Sequence, residues 1–424
     1  MENIRIKGRS INSGLEIRYN KHALFLGLIV FLNLSGFYML SGLPVDPTDI
    51  AVVLEIVYIV YILLTRRGRC EYRYKWAMLM PIFFVLVSSI MANYSYGQPL
   101  WFGIRAQRTW LFACLMYFPI VKAMKRGEIN VRTIFAMLDV VNVIYVLLVI
   151  MQYILGDSVR FMVVMSNERY GSTRLYVSLS VVLISYFVHL MRLLQVRKLV
   201  FSDLFFIVVT LFLNLSVVKG RMSIVCLLIG TGLAVLSIRF TIRKLFFVGV
   251  LFAAAIAFLT SEVGGDILTM IFNSEESIGG DTSGIRDIGR EFFITQTLSD
   301  WKTALFGCGF ANIDWHQTVI AIRYSEGIYA NDNGMFGIFF YYGFSFVIWN
   351  FLFYVRLMID AWRKNRAMFF LLLSDLIKIY TLFPLSYTTN IAFAIVCAVL
   401  EGTESGDEKS RGFQIGKKRY RIGL

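Results

Sequence analysis

Long apolar blocks alternate with short polar gaps along the chain. Within the blocks there is neither the two-residue period of a half-buried strand nor the 3.6-residue period of a helix with one wet face. A helix that is apolar all round is one surrounded by lipid or by other helices. A hydrocarbon core of about 30 Å takes about twenty helical residues to cross. On that ruler the blocks predict spans over residues 23–43, 50–64, 76–92, 109–124, 134–155, 175–194, 199–218, 222–238, 245–260 and 335–355. The last apolar stretch, 368–400, would be about 50 Å long as one helix, too long for one span and short for two. Between spans nine and ten lies the one long aqueous segment, 261–334, with ten glycines and helix-capable runs such as 285–299. Such a segment predicts a small lid or subdomain rather than a turn. There is no internal repeat, so residues 1–424 read as a single polytopic membrane domain.

Composition agrees with lipid as the solvent of this fold. Of the 424 residues 57% are hydrophobic and 17% charged, with 37 Phe and 22 Tyr, where a soluble domain carries about 25% charged residues. The net charge of +14 is spread through the gaps between blocks and not gathered on one face, which argues against nucleic acid as a partner. It fits instead the retention of basic loops in the cytoplasm. With the N-terminus inside, inner segments hold 30 of the 42 Lys and Arg and outer segments 11, with Lys378 left in the membrane. The basic tail (Lys409, Arg411, Lys417, Lys418, Arg419, Arg421) also belongs inside, which requires an even number of spans. Splitting 368–400 near Pro384 gives about twelve. The first block follows Arg5, Lys7, Arg9, Arg18 and Lys21 and has no small-residue cleavage site, so it reads as a retained span.

Cys70, Cys114, Cys226, Cys308 and Cys397 form no CxxC pair and no disulfide framework, and only Cys308 is expected in an outer aqueous segment. His22, His189 and His316 are too scattered for a metal site, so neither metal nor cofactor is expected. The outer face is more informative. Nine of its eleven cations are Arg (Arg105, Arg108, Arg160, Arg169, Arg174, Arg221, Arg286, Arg290, Arg323), beside Lys219 and Lys302. A planar guanidinium fork matches phosphate oxygens as an ammonium does not, so a phosphate-bearing ligand on the outside would produce this bias. The alternative is ordinary pairing with Glu168, Asp287 or Glu291. Lys219 and Arg221 flank Gly220 in a hairpin so short that both cations sit at the hydrocarbon edge, where an ionisable group needs a partner. Arg286 and Arg290 are four apart and share a helix face. Within the spans, Glu55, Asp139, Asp203, Asp375 and Lys378 need explaining: Asp375 and Lys378 are placed to pair, Asp203 is expected at the interface, and Glu55 and Asp139 would suit a proton relay.

Three segments together resemble the O-antigen polymerase and O-antigen ligase superfamily of polysaccharide assembly enzymes. They are Lys219-Gly220-Arg221 opening a central span; Ser283-Gly284-Ile285-Arg286 leading to Trp301 and Leu305-Phe306-Gly307-Cys308-Gly309; and Asn331-Asp332-Asn333-Gly334 with Gly343 beyond. The resemblance implies an all-α, glycosyltransferase-C-like integral membrane fold in a bacterial cytoplasmic (inner) membrane. It also implies a glycosyltransferase activity in which glycan on undecaprenyl pyrophosphate passes to a sugar hydroxyl of the next lipid-linked repeat unit. The product would be O-antigen, capsule or exopolysaccharide. Donor, acceptor and membrane lipid are the expected partners, with a chain-length regulator protein as a further candidate.

On this reading Arg221, Arg286 and Asp332 are the expected catalytic residues, and Arg169, Arg174, Arg290, Asn333 and His316 the expected substrate contacts. Arginines would hold the charge that develops on the leaving pyrophosphate, and Asp332 would orient the acceptor hydroxyl. The ligase branch carries a His–Asn-type pair, nine residues and then GxxG. Here Asp332 stands where the His would be and Phe346 where the second Gly would be, which favours polymerase, although His316 could substitute. A flippase for the same lipid-linked oligosaccharide is the rival of another class, and the 74-residue outer loop speaks against it.

The charge pattern predicts that both termini and residues 356–366 are cytoplasmic and 261–334 external. Reporter fusions or impermeant thiol labelling loop by loop should return this alternation; labelling of the large loop only after permeabilisation would invert the topology.

Overall fold

A computed structural model describes residues 20–34, 38–40, 42, 45–65, 70–156, 159–164, 166–169, 172–195, 200–238, 249, 282–317, 327–378 and 390–411. Among them the architecture is all-helical apart from two short antiparallel ribbons. Five helical stretches are long and apolar enough to cross a membrane: Pro47–Leu64, Lys75–Tyr96, Val131–Leu155, Phe201–Val218 and Ala330–Lys364. Lys21–Leu34, Ser180–Gln195, Met222–Leu236 and Ile391–Thr403 are apolar but shorter. In chain order the helices are α1 (Lys21–Leu34), α2 (Pro47–Thr65), α3 (Lys75–Tyr96), the pieces α4 (Leu100–Ala106), α5 (Arg108–Leu115) and α6 (Tyr117–Lys125), and α7 (Val131–Leu155). They continue through α8 (Ser180–Gln195), α9 (Phe201–Phe212), α10 (Arg221–Leu236), the loop helices α11 (Thr282–Leu298) and α12 (Trp301–Phe306), α13 (Gly334–Lys364), α14 (Arg366–Ile377) and α15 (Asn390–Arg411).

Local chemistry explains where several helices start and stop. Asn130 accepts from the Thr133 N–H at 2.8 Å ahead of α7, and Asn365 accepts from the Ala367 and Met368 N–H groups ahead of α14. Gly97 ends α3 in the left-handed region at φ 66°. Other boundaries depart from the expectation. The first span was expected over 23–43, but α1 stops at Leu34, where Ser35 and Gly36 follow, and Tyr38–Leu40 pairs as a strand, β1, with β2 (Met162–Val164). The block 109–124 is divided at Met116, just ahead of Pro119, whose missing N–H leaves the Leu115 carbonyl without a helical donor. The stretch 368–400 resolves into α14 and α15, with Pro384 in the segment between them that lies outside the described residues, as does the whole expected span 245–260.

α15 is the central post. Every residue from Ile391 to Glu401 is buried, and the helix packs against α5, α6, α7, α8 and α13, as a helix apolar all round must. Its end at Glu401 is held by charge. Glu401 pairs with Lys125 at 2.6 Å, accepts from the Arg73 N–H at 3.2 Å and from the Tyr117 hydroxyl. Arg73 in turn forks onto Asp360 of α13 (Nε–Oδ2 3.0 Å, Nη2–Oδ1 2.6 Å), and Tyr74 donates to the same carboxylate at 2.6 Å. Burial and the Asp360 carboxylate both push the Tyr74 hydroxyl well above its ordinary range, so it stays a donor.

At the opposite end of the bundle the chain after α12 dips back between α3 and α13. The Cys308 N–H donates to the Phe340 carbonyl at 2.7 Å and the Phe310 N–H to the Ser88 hydroxyl at 2.7 Å. α13 kinks at Gly343 (φ 69°, ψ −171°), so the Phe340 carbonyl, whose helical donor would be residue 344, takes its hydrogen bond from the inserted segment. Irregular backbone at this depth, roughly 6–12 Å below the end of α3 at about 1.5 Å per residue, is tolerated because protein covers it. The fit leaves no room for side chains. A Cβ on Gly307 would lie 2.4 Å from the backbone of Tyr341 and Tyr342, on Gly309 2.1 Å from the Ala92 nitrogen, and on Gly343 2.5 Å from the Gly307 nitrogen. Cys308, expected in an aqueous loop, is therefore buried, because the loop enters the bundle at that point. Ile313, which is 67% exposed, is the position at which a labelling cysteine reports the outer loop.

Gly309→Ala and Gly343→Ala each add a methyl into backbone at positive φ; each should cost at least about 2 kcal/mol and lower the melting temperature of the purified protein. Gly232→Ala on α10, with nothing within 4 Å of the new methyl, should be neutral or slightly stabilising. Equal melting of all three variants would remove the inserted wedge.

Candidate functional site at the outer face

The outer cations divide into three groups. Some are committed to local structure: Arg108 binds Asp49 of α2 and donates to the Arg105 carbonyl at 2.6 Å, and Lys302 lies 4.9 Å over the Tyr94 ring. Arg160 lines a narrow cleft with Gln152, Met162 and Thr173. Arg323 lies outside the described residues.

A second group surrounds the turn into α10. α9 ends in a π-helical turn, Leu213–Val218, closed by the Lys219 N–H on the Asn214 carbonyl at 3.0 Å. Such turns are rare and recur at functional sites. Lys219 follows at φ 48°, and among the described residues no other non-glycine has a positive φ. The hairpin of β3 (Ser166–Arg169) and β4 (Ser172–Leu175) lies against this turn. Arg174 Nε donates to the Val218 carbonyl at 2.7 Å and Nη1 to the Tyr176 hydroxyl at 3.3 Å, with the guanidinium 4.3 Å over the Tyr176 ring. The buried Lys219 ammonium donates to the Thr173 carbonyl at 3.2 Å, which supplies the partner its position demanded. Arg221 is the first residue of α10 and Arg169 the last of β3; both side chains lie outside the described residues. Cations at a helix N-terminus oppose the helix dipole, each at a cost of about 0.3–1 kcal/mol, a cost that a bound anion would offset.

The third group is carried by α11, which packs on the start of α13. Phe293 stacks against Phe340 with ring centroids 4.8 Å apart. Gly289 brings the helix against Asn333, where a Cβ would meet Nδ2 at 2.9 Å. Arg286 and Arg290 therefore flank the 3-10 turn Ala330–Asn333. Arg286 is exposed. Arg290 is half-buried, pairs with Asp287 at 2.6 Å as the local reading expected, and lies 5.9 Å from the Phe336 ring centre. Asp332 is exposed. It does not cap α13, because the cap position belongs to Asn333, whose side chain makes no capping bond. Asn333 is buried, donates to the Tyr329 carbonyl at 3.0 Å and leaves its Oδ1 without a hydrogen-bond partner. His316 is exposed after the wedge, on a turn fastened to the α4 region by Asn312 donating to the Phe102 carbonyl at 3.0 Å.

So the structure brings Arg174 to the turn before α10, and packs α11, which carries Arg286 and Arg290, on the turn that carries Asp332 and Asn333. Among the described residues, α11 packs chiefly on α12, α13 and the turn before α13.

Sequence reasoning missed one polar cluster. His189 Nδ1 lies 2.6 Å from Asp203 and Nε2 3.1 Å from Asp139, with Arg192 3.3 Å from Asp203, Ser185 donating to Asp139 at 2.7 Å, and the imidazole stacked on Phe206 at 4.5 Å. Asp203, expected at the interface, is fully buried there. The available signal was depth: Asp139, His189 and Asp203 lie near the inner ends of three successive helices, α7, α8 and α9. The other span charges also find partners. Glu55 accepts from Asn33 at 2.9 Å, and Lys378 meets Asp375 at 3.2 Å as expected. Among the described residues no group of three or more His, Cys, Asp or Glu side chains could hold a metal ion.

No family model, no curated protein and no solved structure matches this chain.

Proposed function

We propose that the protein is a polymerase of lipid-linked oligosaccharide repeat units, acting on the outer face of a bacterial cytoplasmic membrane. The observation that carries the reading is the docking of α11, which bears the exposed Arg286 and half-buried Arg290, on the start of α13 and on the turn Ala330–Asn333, which bears the exposed Asp332. On this reading the five long helices, the four shorter ones, the broken pair α5–α6 and α14 are membrane-crossing units, and 245–260 completes twelve.

Chemically, the acceptor sugar oxygen attacks the anomeric carbon of the donor glycan. The bond from that carbon to the pyrophosphate oxygen breaks, and undecaprenyl pyrophosphate leaves with the electron pair. The hydroxyl proton passes to the Asp332 carboxylate, and arginines neutralise the leaving group. The charges buried in the bundle are turned toward one another (His189 with Asp139 and Asp203, Lys378 with Asp375), and the central post is apolar over 391–400. That is a poor lining for flipping a charged headgroup through the bundle.

Arg286→Ala should lower polymerisation about a hundred- to a thousandfold while the protein remains in the membrane, and Arg286→Lys should recover little, since an ammonium does not reproduce a two-pronged contact. Asp332→Asn should lose most activity, and Asp332→His should create no ligase. The readout is the glycan profile of a deletion strain carrying each variant. Single repeat units in the deletion strain support the polymerase. Long unattached chains would assign a ligase, and loss of all outer glycan a flippase. Unchanged chain length and yield in Asp332→Asn would remove the carboxylate from the mechanism.

A further inference from the structure

Two side chains cross between the β3–β4 hairpin and the end of α9 in opposite directions. Arg174 reaches from the hairpin to the carbonyl of Val218, and Lys219 reaches from the turn back to the carbonyl of Thr173. Each segment thus lends a side chain to the backbone of the other, at adjacent positions, 173 and 174 against 218 and 219. Nη1 of Arg174 donates to the Tyr176 hydroxyl at 3.3 Å, and the guanidinium lies 4.3 Å over the Tyr176 ring. A pyrophosphate that took the Nε edge of this guanidinium would have to displace the Val218 carbonyl.

The backbone gripped in this way is unusual. It runs from a π-helical turn through a lysine at φ 48° into the first residue of α10, Arg221. Conformations of this kind persist where the surroundings over-determine them, and the crossed pair supplies that constraint.

We propose, building on the polymerase reading, that Arg174 and Lys219 are positioning residues: they form a reciprocal side-chain-to-backbone clamp that fixes the backbone from which Arg221 leaves, and neither touches substrate. This reassigns Arg174, which the arginine bias alone marks as a phosphate contact. The clamp asks of residue 174 only a cationic donor that reaches one carbonyl and lies over one ring, which a lysine supplies. A phosphate fork asks for a guanidinium.

The test uses the full-length protein in lipid nanodiscs and two independent readouts, amide hydrogen exchange of peptides covering 213–224 and turnover of lipid-linked repeat units. Arg174→Ala should raise exchange in that segment at least about fivefold. It should slow turnover about tenfold or more, because a small misplacement of a reacting group is costly, with KM changing less than about threefold. Arg174→Lys should bring both readouts back to within about threefold of the parent. Turnover as low in Arg174→Lys as in Arg174→Ala, with exchange at the parent level in both, would make Arg174 a direct substrate contact and overturn the clamp. Parent-level exchange and turnover in Arg174→Ala would overturn it as well. The expected exchange pattern in a protein that makes no polymer from lipid-linked repeats would uphold the clamp and remove the polymerase reading.

Discussion

Within a hydrocarbon core every backbone N–H and C=O needs a protein partner, and the hydrogen bond from the Cys308 N–H to the Phe340 carbonyl is where this chain meets that demand in an unusual way. The kink at Gly343 takes Phe340 out of the regular ladder, and the dipping segment after α12 supplies the missing donor. The two irregularities are each other's solution. Three glycines make it possible, because a side chain at 307, 309 or 343 would collide with backbone. The wedge also fixes α11 and α12, since the loop that carries them is anchored between α3 and α13. Arg286 and Arg290, carried by α11, inherit their positions from this contact.

The two ends of the bundle handle charge differently. At the foot of α15, Arg73, Lys125, Asp360 and Glu401 neutralise one another, with Tyr74 and Tyr117 filling remaining acceptor sites. Removing a cation from this set leaves a buried carboxylate without its charge partner, which is costly, so the network holds the bundle. At the other end Arg290 pairs with Asp287 and Arg108 with Asp49, while Arg286 is exposed and Lys219 and Arg221 stand at a helix N-terminus, where positive charge is unfavourable. The hairpin clamp and the docking of α11 order this cationic end.

Much of the architecture was legible along the chain, for simple physical reasons. Lipid demands long apolar helices, so the blocks 50–64, 76–92 and 134–155 return as α2, α3 and α7, extended by a few residues. Helix spacing predicted the Lys378–Asp375 and Arg290–Asp287 pairs, because partners three apart need no knowledge of the fold. Arg286 and Arg290 on one helix face were readable in the same way. Pairs distant in sequence were not. His189 was dismissed as one of three scattered histidines, yet it joins Asp139 and Asp203 because α7, α8 and α9 pack side by side.

Composition and hydropathy thus determined the long apolar helices of this protein, and charge order set the expectation of which ends lie inside, since these depend only on the transfer energies of residues in sequence order. The tertiary structure decided what each residue does with its position. Cys308 looks aqueous from its neighbours and is buried because the chain turns inward there. The glycines at 307, 309 and 343 look like a motif and are a packing joint. Arg174, one of nine outer arginines along the chain, grips the Val218 carbonyl. Asp332, next to the start of α13 along the chain, does not cap it and lies exposed on the turn against which α11 packs. In each case the deciding contact joins segments far apart along the chain, and a local pattern carries no information about which distant backbone will come to meet it.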